Sequence, residues 1–456
     1  MRNILLLFFL FPLCATSQEI HFRYNLTGYH PNDPKISLLM ADHELDYRVD
    51  VIDAKTGETM YKGKLKSAKG TSWGQYAFQY SYDFTPISRP GEYKIKVGDI
   101  FSPVISIRVP DQKSWLSDAL GFMRQQRCGY NPYFDIVCHQ KDGRLFDGPV
   151  EDSTFYDFTG GWHDAGDQLK YLITSSNATA RLLMSYELSP ESFVDRFDAM
   201  GHPYPNGIPD ILDEAKWGLD WLLKLHPKKD WLIHQIADDR DHRGFKFPDK
   251  DNAEYGWGPN SYRPAYFATG EPQGLGKWKS QATGISNIAG RSAAALALGA
   301  RIWKRLGYDD GFALRCETAA KELFNMGKSR EGYQQGNSYG APYRYNENSW
   351  ADDMEWAAAE LYKLSGNENY LQEAIHYSSI IKDDGWMARD TMLHYELYPF
   401  MNLGHYSLFD VAPDSVKTQL TDWYKSNIEK VIECGKTNAF EIGVPFLWCS
   451  NNLMVN

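Results

Sequence analysis

The chain has 456 residues, enough for two domains, and at 43% hydrophobic and 23% charged its composition is that of a globular protein. Its formal net charge of -11 disfavours a nucleic-acid partner, because a phosphate backbone would be repelled. Aromatic residues reach 14%, with 29 Tyr and 14 Trp, a supply of flat apolar faces that suits either a bulky core or stacking on sugar rings.

The N-terminus reads as an export signal over residues 1–17. Arg2 precedes the apolar run 4–13, and Ala15 and Ser17 fit the small-residue positions of a cleavage site before Gln18. The run is about ten residues, too short to span a bilayer, and no other apolar run is long enough for a membrane helix. The expected product is secreted or periplasmic. A lipid anchor at Cys14 is less favoured, because Leu13 is bulky where a small residue belongs. Setting Cys14 aside leaves Cys128, Cys138, Cys316, Cys434 and Cys449. An odd number cannot pair completely within one chain, so a disulfide framework is not the natural reading.

Residues 18–110 read as strands. "YRVDVID", "YAFQYSYDF", "GEYKIKVG" and "PVISIRV" alternate apolar and polar residues, with turn signals such as "AKTGE" and "ISRPGE" between them. Several short strands in some 90 residues predict a β-sandwich. It holds no cluster of His, Asp or Glu at site-like spacing, so a structural or docking module is expected.

From Ser114 the period becomes helical and remains so through "QLKYLITSSNATARLLMSYE", "DILDEAKWGLDWLLKLH", "ISNIAGRSAAALALGARIW" and later segments to Cys434. Long loops, notably 129–160, 236–282 and 329–351, interrupt them. An all-α array of hairpins over 111–456 is predicted, with function carried on the loops.

"GGWHDAGDQLKY", residues 160–171, is the stretch that asks for chemistry. Asp164 and Asp167 precede a helical run beginning near Gln168. An N-cap and a first-turn acid explain one aspartate, but not the paired glycines or His163. The positive end of a helix would keep both carboxylates ionised, which suits a base that activates water. Upstream, "QRCGYNPYFDIVCHQKDG" supplies Cys128, Cys138 and His139. With His163 these make a Cys₂His₂ set, the inventory of a closed structural zinc site. The competing reading is a Cys128–Cys138 disulfide. A zinc ion here would make His163 a clamp on the two aspartates.

"QRCG…CH…DG…GGWHDAGDQLKY" resembles the family 9 glycoside hydrolases, the inverting cellulases. Agreement extends to "DFTPISRPGEYKIKVG", "NGIPDILDEAKWGLDWLLKLH", "SWADDMEWAAAELYKLSGNENYL" and "GVPFLWCSNN". The resemblance implies an immunoglobulin-like β-sandwich followed by an (α/α)₆ barrel that acts on a β-glucan polysaccharide or oligosaccharide. It implies that Asp167 is the general base, that Asp164 helps hold the attacking water, and that Cys128, Cys138, His139 and His163 bind zinc. "DDRDHRGF" resembles the substrate-binding loop and places His242 near the glucan, against a solvated loop histidine as the alternative. Trp448 falls where the family stacks a sugar, against a core aromatic. "NSWADDMEW" resembles a calcium segment, which would use Asp352 and Asp353. The last calcium ligand has no clear counterpart, and an acidic helix N-terminus explains the same aspartates.

An inverting glycosidase needs an acid as well as a base. The resemblance puts that acid on a glutamate near the family's C-terminus. Glu441 precedes the "GVPFLWCSN" segment and does not match it, and no later glutamate follows. The chain reaches Asn456 inside what resembles a helix starting near Ser450. The expectation is therefore a barrel incomplete in this chain, as a fragment of a longer product, with glucan hydrolysis by the residues given in doubt. A natural inactive truncation, or another residue in the acid's role, are the alternatives. A glycan-binding protein without turnover is the competing function.

Overall fold

The computed structural model describes residues 19–68, 75–109, 111–258, 260–384, 403–438 and 440–443. The signal segment, Cys449 and Trp448 lie outside them. The chain divides into two compact units, one of residues 1–110 with 431–443 and one of 111–430 with 444–456.

The first unit is a β-sandwich. One sheet is ordered β1 (Ile20–Arg23), β2 (Ile36–Ala41), β6 (Phe78–Asp83), β5 (Lys66–Ser67). The other is ordered β4 (Thr59–Lys64), β3 (Arg48–Asp53), β7 (Gly91–Val97), β8 (Ile100–Phe101), with β9 (Ile105–Ile107) also paired to β7. The alternation does what its period dictates: Val49 and Val51 of β3 and Tyr93, Ile95 and Val97 of β7 point into one core. Leu39, Tyr80 and Tyr82 close it from the facing sheet.

The second unit is mainly helical. Nine α-helices lie among the described residues: α1 (Gln112–Gln125), α2 (Leu172–Leu188), α3 (Asp210–Leu225), α4 (Ser286–Leu306), α5 (Asp310–Ser329), α6 (Ala351–Ser365), α7 (Glu368–Ile381), α8 (Leu403–Phe409) and α9 (Asp414–Gly435). Their ends follow ordinary chemistry. Asp111 and Asp309 cap α1 and α5 by accepting the N–H groups of Ser114 and Phe312. Gly307 and Gly366, both left-handed, stop α4 and α6. Helix α4 is the centre, packed on α2, α5 and α6. Its "SAAALALGA" run lets neighbours approach closely; Gly290 touches the α6 backbone at Asp353, and Gly299 touches Leu219 of α3. No helix of the described residues is long and apolar enough to cross a membrane.

The all-α expectation needs correction. The segments between helices carry a four-stranded sheet ordered β12 (Asp142–Phe146), β15 (Arg263–Phe267), β14 (Ile233–Ile236), β13 (Lys170–Tyr171), with β12 and β15 parallel. A short hairpin, β10 (Tyr130–Asn131) with β11 (Ile136–Val137), precedes it.

A candidate catalytic turn beside a Cys₂His₂ cluster

Strand β13 also corrects the expected start of α2. Residues 168–171 are not its first turn. Lys170 and Tyr171 pair with Ile236 and Gln235, and the helix begins at Leu172 with Tyr171 at its N-cap. The side chain of Lys170 explains why. It is fully buried, 2.6 Å from Asp142, and donates to the carbonyls of Phe158 and Gly160. Neither aspartate therefore caps a helix.

The turn is held by its own backbone and by its glycines. The N–H of Asp164 donates to the carbonyl of Leu169 at 2.9 Å. Gly161 has φ +71, and a Cβ there would lie 2.5 Å from the Trp221 ring. At Gly166 a Cβ would lie 1.7 Å from the Phe245 ring. Only glycine at these two positions allows that indole and that phenyl to close on the main chain.

The two carboxyl groups sit in different surroundings. Asp164 accepts from Thr174 Oγ1 and from Tyr345 Oη, both at 2.9 Å, one on each oxygen. Asp167 Oδ1 accepts the N–H of Leu169 at 3.1 Å, while Oδ2 lies 3.4 Å from His242 Nε2. The His242 ring packs on Tyr343, with centroids 4.7 Å apart. Burial, and then the neighbouring charge of Asp167, push the Asp164 carboxyl up to about 7 against the hydrogen bonds of Thr174 and Tyr345. Burial also raises Asp167, offset in part by His242. Against the expectation that a helix end keeps both carboxylates ionised, burial pushes both upward, although Asp164 lies at the first turn of α2 through Thr174.

The four soft ligands come together through main-chain pairing. The N–H of Cys128 donates to the Gly161 carbonyl, and that of His163 to the Gln126 carbonyl. The β10–β11 hairpin, closed by the N–H of Cys138 on the Gly129 carbonyl, returns Cys138 and His139 to the same point. The ligand atoms of Cys128, Cys138, His139 and His163 all lie within 4.8 Å of one another. His163 Nε2 is 3.2 Å from His139 Nδ1 and 3.8 Å from Cys138 Sγ. Tetrahedral zinc with bonds of about 2.0–2.3 Å has ligand edges of about 3.3–3.8 Å, so these separations suit it. Cys128 and Cys138 are buried free thiols, which the disulfide alternative does not allow. His139 Nε2 faces Asp251 Oδ2 at 3.0 Å, leaving Nδ1 turned to the cluster.

Several functional neighbours were not foreseen from the sequence. Tyr345 and Thr174 bind Asp164, Asp251 orients His139, and Arg263 links Asp142 to Cys128 Sγ at 3.9 Å. Glu214 of α3 receives Trp162 Nε1 at 2.8 Å and Arg127 Nη2 at 2.8 Å, locking the residues beside His163 and Cys128. The only advance signal for Tyr345 was the length of its loop. The calcium expectation finds no support. Asp353 is taken by the Arg291 guanidinium and Asp352 by Ser349, and among the described residues the Cys₂His₂ set is the only metal-ligating cluster.

Comparison with known proteins decides the family. The model of glycosyl hydrolase family 9 matches residues 113–456, and that of the cellulase N-terminal ig-like domain matches 17–102. The chain belongs to glycosyl hydrolase family 9. It is 25% identical to endoglucanase D of Acetivibrio thermocellus over 458 aligned positions, covering 96% of this chain and 66% of that protein. It is 25% identical to a xyloglucan-specific endo-beta-1,4-glucanase of Bacteroides ovatus, over 80% of this chain and 61% of that one. The chain thus spans less than two thirds of the length of these relatives. A crystal structure of a metagenome-derived family 9 endoglucanase superimposes with a TM-score of 0.71 at 25% identity, over 93% of this chain and 75% of that one.

Proposed function

We propose that this family 9 protein is a secreted inverting glycoside hydrolase of β-1,4-glucans, with an immunoglobulin-like module over 18–110 and a catalytic domain over 111–456. The observation that carries the reading is the unequal commitment of the two aspartates. Both oxygens of Asp164 are occupied by hydroxyl donors, which suits a group that orients water. Asp167 keeps Oδ2 outside the turn's own hydrogen bonds, beside His242, which suits the base. Water positioned between them and the anomeric carbon would attack from the face opposite the leaving group and invert the centre. His242 and its Tyr343 neighbour line the approach, and Trp448 is assigned to the same glucan. The relatives' endoglucanase and xyloglucan names support a β-1,4-glucan substrate. We read the helical unit as an (α/α)₆ barrel, with nine helices among the described residues. The general acid is assigned to no described residue.

Zinc is assigned to Cys128, Cys138, His139 and His163. Held by these four residues, a zinc ion would supply a structural clamp on the turn. A substrate whose leaving group departs without a proton separates the base from the acid. The full chain should hydrolyse 2,4-dinitrophenyl β-cellobioside, releasing the α-anomer first by proton NMR. Asp167→Ala should lose about 10²–10⁴ in rate at an unchanged melting temperature. A β-anomer as first product, or equal rates for the two proteins, would refute the assignment.

A further inference from the structure

Loop 238–251 leaves strand β14 and carries His242 to Asp167. Three separate contacts bind it to the catalytic turn: His242 on Asp167, the Phe245 ring against Gly166, and Gln168 Nε2 donating to the Lys246 carbonyl at 3.0 Å. Its interior is ionic. The Lys246 ammonium lies 3.1 Å from Asp241 Oδ1 and is paired also with Asp251 Oδ1. Asp241, adjacent to His242, is fully buried and accepts from Tyr255 Oη at 3.2 Å. Asp251 uses its other oxygen on His139 Nε2 at 3.0 Å. A continuous line of contacts therefore runs from the cluster ligand His139 through Asp251 and Lys246 to Asp241 and His242.

We propose that Lys246 is a positioning residue through which occupancy of the Cys₂His₂ site sets the order of the loop that carries His242. This rests on the assignment of zinc to that site. The physical basis is a shared orientation. A cation on His139 Nδ1 fixes the ring and polarises its Nε2–H toward Asp251. Asp251 so held fixes one side of the Lys246 ammonium, whose other side fixes Asp241. Without the ion the His139 ring keeps only its contacts with Asp251 and His163, and the half-buried Lys246 ammonium between two carboxylates loses part of the geometry that offsets its desolvation. The loop, not the barrel, is the part expected to loosen.

Limited trypsin digestion reads the loop directly, because Arg243, Lys246 and Lys250 are cleavage sites within it. In the full chain loaded with zinc these bonds should be protected. Removal of zinc by a chelator should speed cleavage after Arg243 by about tenfold or more. In Lys246→Met, cleavage after Arg243 should be fast whether or not zinc is bound, at unchanged zinc content and melting temperature. Lys246→Arg should restore part of the zinc dependence. Cleavage of the wild-type chain that ignores bound zinc overturns the proposal, as does zinc-dependent protection that survives in Lys246→Met. A chain that binds no zinc overturns the zinc assignment, and the proposal with it.

Discussion

Replacing Tyr345 with Phe removes one oxygen atom and leaves the ring, which meets Tyr171 edge-on at 5.2 Å. The hydroxyl lost is one of two donors to Asp164. A hydrogen bond to a charged group contributes about 1.5–3 kcal/mol, and about 1.4 kcal/mol corresponds to one pH unit. Asp164, already at about 7, should therefore move up by roughly one unit. The sign follows from the group: a carboxyl with a raised value is protonated as pH falls through it, and a protonated Asp164 is an uncharged and weaker acceptor for the attacking water. The acid limb of the rate profile on 2,4-dinitrophenyl β-cellobioside should shift upward by about one unit, with near wild-type rates well above it. The same raised value makes a linked statement about stability. The contribution of Asp164 is fully present below its unfolded value and is lost as pH rises from there through about 7, so Tyr345→Phe should extend that loss upward by about one pH unit. An unshifted acid limb with a uniform loss of kcat would show that Tyr345 acts through packing or substrate contact, and the reasoning would fall.

The metal assignment predicts about one zinc per chain by elemental analysis, lost when Cys128 and Cys138 are both changed to Ser; a zinc-free protein with those thiols joined in a disulfide by mass mapping would sink it. Glu214→Ala should destabilise the helical unit by about 3–5 kcal/mol, because Arg127, 1% exposed, is left as an uncompensated buried charge. Trp162→Phe should cost only about 1–2 kcal/mol, since Arg127 still satisfies Glu214. Chemical denaturation of both variants checks the ordering, and equal losses would contradict it.

What was legible in the sequence follows the range of the forces involved. The sandwich strands announce themselves because one buried face imposes a period of two on adjacent residues. The helices do so because α4 and its neighbours bury continuous stripes. Strands β12 to β15 gave no such signal. They are two to five residues long, and β12 finds β15 some 120 positions away, so pairing rather than local pattern defines them. The metal cluster was readable because thiols and imidazoles are scarce and chemically particular. Tyr345, Thr174 and Asp251 were not, since their residue types are common and only the fold brings them to the site.

Lys170 is the residue on which the local misreading turned, and it also explains the electrostatics of the turn. It falls within the run that periodicity assigns to a helix beginning near Gln168. It is fully buried, and its ammonium is spent on Asp142 and two carbonyls. Arg263, the other buried cation close by, makes a two-pronged contact with the same Asp142. Both buried cations are thus committed to a third carboxylate. Asp164 and Asp167 are left with hydroxyls, one backbone N–H and His242 against the cost of burial, which is why both rise. A base raised by burial binds its proton more tightly at the moment of transfer than an ordinary carboxylate would. Under the proposed assignment of Asp167 as the base, the burial that raises it would strengthen its uptake of a proton from water.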